Sequence, residues 1–101
     1  MNKMRRKELA KVINMLEEVQ NKEDLYLIIN ELEDIKDDEQ DYYDNIPENL
    51  QYSQRAEDSE MSIDNMDVAL DLLNEVYDMD NFEQNNKLIQ EAINKIEEAS
   101  W

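Results

Sequence analysis

The sequence predicts an all-α protein, either a kinked antiparallel helical hairpin or a small four-helix bundle, with its main turn near Pro47. Three observations lead there. The 101 residues contain no Gly and one Pro, so strands joined by tight turns have almost no turn chemistry. Leu, Ile, Val and Phe supply 24 residues, above the roughly 20% below which disorder is favoured. That holds although the mean hydropathy is -0.91 and the formal charge is -17. These apolar residues also recur at steps of three and four, the period of a helix face. The length fits a single domain over residues 1–101 and is too short for two cores.

Leu9, Val12, Leu16 and Val19 predict a first helix over about 3–20. Leu25, Ile28, Leu32 and Ile35 repeat the spacing, with Tyr42 one heptad on, and predict a second over about 22–43. The six-residue step from Val19 to Leu25 puts the two stripes out of phase, so a kink or loop is expected at Asn21, where Asn21 and Asp24 resemble a capping box. Pro47 disfavours helix at Ile46 and suits a first turn, which makes residues 44–53 the main reversal. Ser53 is the expected cap of a third helix over about 53–78, with an apolar seam of Ile63, Met66, Leu70, Leu73 and Tyr77. Asp80 and Glu83 form a second capping box, and a fourth helix over about 81–99 is expected to turn Phe82, Ile89, Ala92, Ile93 and Ile96 inward. As a two-arm rod the chain would bury one stripe per helix, and a homodimer would supply the missing cover.

Composition excludes much chemistry. The absence of Cys removes disulfides, thiol catalysis and Cys-bearing zinc sites, and the absence of His removes imidazole bases and ligands. Without Gly there is no phosphate-cradling loop. Asp78, Asp80 and Asn81 begin like a calcium loop, but Glu83 stands where Gly is needed and Ile89 where Glu is needed. The serines have no neighbouring base of the usual kind. No catalytic residue, metal or cofactor is therefore expected, and the chain reads as a non-enzyme. The amino terminus lacks the apolar run of a signal peptide, and Leu25–Ile29 is the longest apolar stretch, so a cytoplasmic protein without a membrane span is expected.

Charge is unevenly placed. Residues 1–11 carry a net +4, from Lys3, Arg5, Arg6, Lys7 and Lys11 against Glu8, and the remainder carries -21. A cation cluster at a helix start opposes the helix dipole, and pairing with Glu91, Glu97 and Glu98 of a neighbouring helix is the expected compensation. The acids form rows. Glu57, Glu60, Asp64, Asp67, Asp71, Glu75 and Asp78 follow one another at steps of three and four, and Glu31, Asp34, Asp38 and Asp41 make a shorter row on the second helix. The longer row is centred about 130° from the apolar seam and is expected to face solvent.

Like charges at these steps repel, and between Lys36 and Lys87 the single cation is Arg55. A one-sign field of this kind draws a basic groove. One row gives a charge every ~5 Å along a helix, and a DNA strand one per ~3.4 Å, so two adjacent rows are expected to approach the density of a strand. Tyr42, Tyr43 and Tyr52 fit packing at the turn as well as interface anchors, and Trp101 fits a partner contact or packing on the basic first turn.

RRKEL at 5–9 and DEQDYYDNIPENLQYSQRAEDSE at 38–60 resemble a loose group of short, acidic phage and prophage proteins. In that group a basic start, a charged helix and an EQ, YDN, PENLQ, S, R turn lead into an acidic second helix. The likeness covers about a third of the chain, which departs from the pattern at its breaks near Asn21 and Asp80. The resemblance implies the hairpin turn and favours inhibition of a host defence protein, CRISPR effectors included. The expected function is thus a stoichiometric, anti-CRISPR-type inhibitor in the bacterial host cell. Its acidic rows would imitate DNA towards a basic nucleic-acid-binding partner, with no direct contact to nucleic acid. The alternative expectation is a self-associating helical hairpin, structural or adaptor, whose acids are only solvated.

Overall fold

Asn2, Asn21 and Ser53 each offer a side-chain oxygen to the backbone N–H three residues ahead, at 2.8, 2.8 and 3.3 Å, and a helix starts after each. In the computed structural model, which describes residues 1–79 and 86–100, the helices are α1 (Lys3–Glu17), α2 (Lys22–Asp44), α3 (Gln54–Asp78) and α4 (Asn86–Ala99). A single 3₁₀ turn, Glu48–Leu50, follows Pro47 in the connection between α2 and α3. The second capping box at Asp80 and Glu83, the inward Phe82 and the terminal Trp101 lie outside the described residues.

α1 ends three residues before the expected limit. The N–H of Glu18 donates to the carbonyl of Met15 at 3.2 Å and so tightens the last turn. Asn21 then adopts an extended backbone, with φ -153° and ψ 170°. An extended residue reverses the chain where a kink would only bend it. Arg5, at the start of α1, consequently meets Glu39, near the end of α2. The kinked-rod alternative is thereby set aside, and the chain is a four-helix bundle.

Contacts run in a closed ring: α1 with α2, α2 with α3, α3 with α4, and α4 with α1. All neighbours are antiparallel along the chain, because Lys36 reaches Asp67 between α2 and α3, and Ser62 Oγ donates to the carbonyl of Ala99 between α3 and α4 at 2.7 Å. The bundle measures 49 × 20 × 18 Å, two helix diameters in each cross direction.

The apolar stripes read from the sequence form the core. Leu9, Val12 and Leu16 of α1, Leu25, Ile28 and Leu32 of α2, Met66, Leu70 and Leu73 of α3, and Ile89, Ile93 and Ile96 of α4 join one cluster. The seam expected on α3 is too narrow, however. Ala56, Ser59, Ser62, Ala69 and Val76 are also buried, whereas Tyr77, placed in the seam, is 36% exposed. A helix in a ring touches two neighbours and needs a wider face than one half of a hairpin. Small residues fill that second face and let the neighbouring helices approach closely. The chain thus covers its own seam.

Leu73 is fully buried in the C-terminal half of α3. Its replacement in Leu73→Ala is expected to lower unfolding free energy by about 2–5 kcal/mol. Urea denaturation measures this, and a loss below about 1 kcal/mol would contradict the assigned core.

Candidate functional site

The acidic row of α3 stands on one flank of that helix. Glu57, Glu60, Asp64, Asp71, Glu75 and Asp78 are exposed, and Asp67 is half-buried. The row extends about 32 Å at 1.5 Å per residue, and α3 holds no cation beyond Arg55 in its first turn. At 100° per residue the row is centred about 95° around α3 from the residues that touch α2, namely Ser59, Asp67 and Tyr77. It borders the α2–α3 groove on the side away from α1 and α4.

Asp67 is the member tied down. Its Oδ1 accepts a hydrogen bond from Lys36 Nζ of α2 at 2.5 Å. That bond, offset in part by burial, raises the Lys36 ammonium above the ordinary lysine value, and the charges of Asp67, Asp37 and Glu33 add to it. A raised pKa means that the contribution to stability is complete below the unfolded lysine value and is lost as pH climbs through the raised one. With side chains 27% and 50% exposed, the pair is strongly screened by water and contributes little.

Glu31, Asp34, Asp38 and Asp41 of α2 are all exposed. They lie about 170° around α2 from its contacts with α3, which are made by Tyr26, Lys36 and Glu39. The two rows therefore do not run side by side. The pairing expected from the sequence fails because only the α3 row was placed against a seam, and a seam does not say which neighbour it faces. The α2 acids that border the α3 row are Glu33 and Asp37, on either side of Lys36 along the helix, and both act electrostatically on that lysine.

Three segments meet over a buried carboxylate that the sequence reading missed. Glu39 has no exposed surface; its Oε1 accepts from Arg5 Nε at 2.8 Å and its Oε2 from Ser59 Oγ at 2.5 Å. The Arg5 guanidinium also lies 5.4 Å from the ring centroid of Tyr42. The basic start of α1 is thus compensated, at Arg5, by α2. Of the α4 acids expected to serve, Glu91, Glu97 and Glu98 are exposed, and Glu98 pairs with Lys95 at 3.3 Å. A signal for Glu39 existed: it stands four residues after Ile35 and three before Tyr42, inside an apolar stripe.

No family model, curated protein or solved structure matches the chain.

What the arrangement can do follows from its own groups. Among the described residues no three potential metal-ligating side chains converge, and no helix is long and apolar enough to cross a membrane. Half of the calcium-like stretch from Asp78 to Ile89, residues 80–85, lies outside the described residues. Three serine hydroxyls have structural partners: Ser53 caps α3, Ser59 donates to Glu39, and Ser62 donates to Ala99. Tyr42 and Tyr43 are half-buried at the turn, while Tyr52 is 94% exposed. The remaining resource is the field of exposed carboxylates along α3.

The buried pair generates a prediction. Arg5→Met leaves the Glu39 charge unpaired and is expected to cost about 3–5 kcal/mol, most of which the double change Arg5→Met with Glu39→Met restores. Chemical denaturation of the three proteins reads this. A single variant as stable as the parent would contradict a structural role for the pair.

Proposed function

We propose that the protein is a stoichiometric inhibitor that occupies the basic nucleic-acid channel of a host defence protein, with a CRISPR effector nuclease as the leading candidate. The observation that carries this reading is the α3 row: six exposed carboxylates at helical spacing on a capped helix, with no cation among them. Such a row raises the local potential and steers a basic groove towards it. Glu57, Glu60, Asp64, Asp71, Glu75 and Asp78 stand in for phosphates, and Asp67, shared with Lys36, contributes less. Glu33 and Asp37 widen the track from α2, whereas Glu31, Asp34, Asp38 and Asp41 offer a separate acidic flank.

Repulsion along the row supports the reading further. Acids at these steps disfavour the helix that carries them, so a role other than stability accounts for an uninterrupted series. The likeness of residues 5–9 and 38–60 to phage proteins points the same way. The competing adaptor reading needed Ile63, Leu70 and Leu73 as a self-association seam, and the chain's own helices bury all three.

The test is competition. With a CRISPR effector nuclease as the probe, DNA is expected to displace the protein and added salt to weaken the complex. Changing Asp64, Asp71 and Glu75 together to Lys is expected to abolish inhibition while circular dichroism stays helical. Undiminished inhibition by that variant would sink the mimicry mechanism. A dimer in sedimentation, with no affinity for the nuclease, would favour the adaptor.

A further inference from the structure

At the end of the bundle where α2 turns into α3, the surface changes character. A hollow of about 300 Å³ opens between the two helices, lined by Tyr42, Asn45, Ile46, Pro47, Leu50, Ser53 and Arg55. None of these residues is acidic, in a chain with 27 acids. Most of the exposed lining is apolar, and Leu50 is 47% exposed at its rim. A second, more polar hollow adjoins it, sharing Tyr42 and Arg55 and adding Arg5 and Asp58. The Asp58 carboxylate is engaged by Gln54 Nε2 at 2.6 Å, and Arg5 by Glu39.

Arg55 is different. It is exposed, it lines both hollows, and it makes no ion pair or hydrogen bond among the described residues. It also stands in the first turn of α3, where a cation opposes the helix dipole. An unpaired guanidinium beside an apolar hollow is half of a recognition site. The other half is an anionic head on an apolar body: a carboxylate matches the guanidinium fork, and an aryl or alkyl group fills the space between Tyr42, Ile46, Pro47 and Leu50. The volume is at the small end of ligand pockets, which excludes a large amphiphile.

The geometry points to a binding site for a small aryl or alkyl carboxylate, with its carboxylate on Arg55 and its apolar body in the hollow. Asn45, Pro47, Leu50, Ser53 and Arg55 of the 38–60 stretch all line the hollow, so this turn also shapes a concave surface. The site lies apart from the α3 row beyond Glu57 and does not depend on what that row binds.

Titration of the ¹⁵N-labelled chain with 4-phenylbutyrate tests it. Saturable amide shifts are expected at Asn45, Ile46, Leu50 and Arg55, with a dissociation constant on the order of 1 mM for a ligand of this size. 4-Phenylbutanol, which has the same body without the charge, is expected to bind about tenfold more weakly, and Arg55→Glu to weaken the carboxylate by at least about tenfold. Arg55→Glu places an acid where the helix dipole favours one, so the fold is kept, and Leu50→Ser independently removes an exposed apolar wall. Equal binding of acid and alcohol, binding unchanged in Arg55→Glu, or shifts that never saturate would each overturn the site.

Discussion

The bundle is organised around one buried charge. Glu39 has no exposed surface, and its two oxygens are taken by Arg5 from α1 and Ser59 from α3. Apolar stripes tolerate sliding by a turn, because one Leu replaces another at little cost. A buried carboxylate does not, since displacement by one turn leaves it without its partners and costs several kcal/mol. The contact therefore fixes the register of three helices at the end of the bundle where the chain makes its main turn. It also explains why Arg5 is present in the first turn of α1 against the helix dipole.

From that register the surface follows. α3, locked between α2 and α4, turns its small and apolar residues inward and its acids outward. Lys36 reaches Asp67 and no further, so the other six acids of the row stand exposed to solvent outside that ion pair. A single-sign row on a rigid rod has long reach at low salt and little intrinsic specificity. Specificity must come from the spacing of the charges and from whatever apolar or cationic features flank them. At the turn, the Arg55 hollow is such a feature.

Periodicity made the helices and most of their buried residues legible in the sequence, and Ser53 and Asn21 were legible as caps because their side chains act locally. What escaped was non-local. Asn21 announces a helix start without saying whether the preceding helix bends or reverses, and only the meeting of Arg5 with Glu39 decides it. Ser59, Ser62 and Ala69 look like neutral surface residues until a second neighbour needs a close approach. The α3 row was expected in solvent, and six of its seven acids are exposed, yet its direction relative to the α2 row depends on which flank of α2 touches α3. Glu39 was concealed by its charge: an acid in an apolar stripe reads as an interruption, when here it is part of the stripe.

The central claim is that the α3 row is carried for a partner and at some cost to the fold. Thermal unfolding of a variant with Asp64→Asn, Asp71→Asn and Glu75→Gln measures that cost directly, because these changes keep size and remove repulsion. The account predicts a melting temperature raised by a few degrees, and an unchanged one would remove the cost. A fall of about 5 °C or more would mean that these acids hold the structure together, and would contradict it.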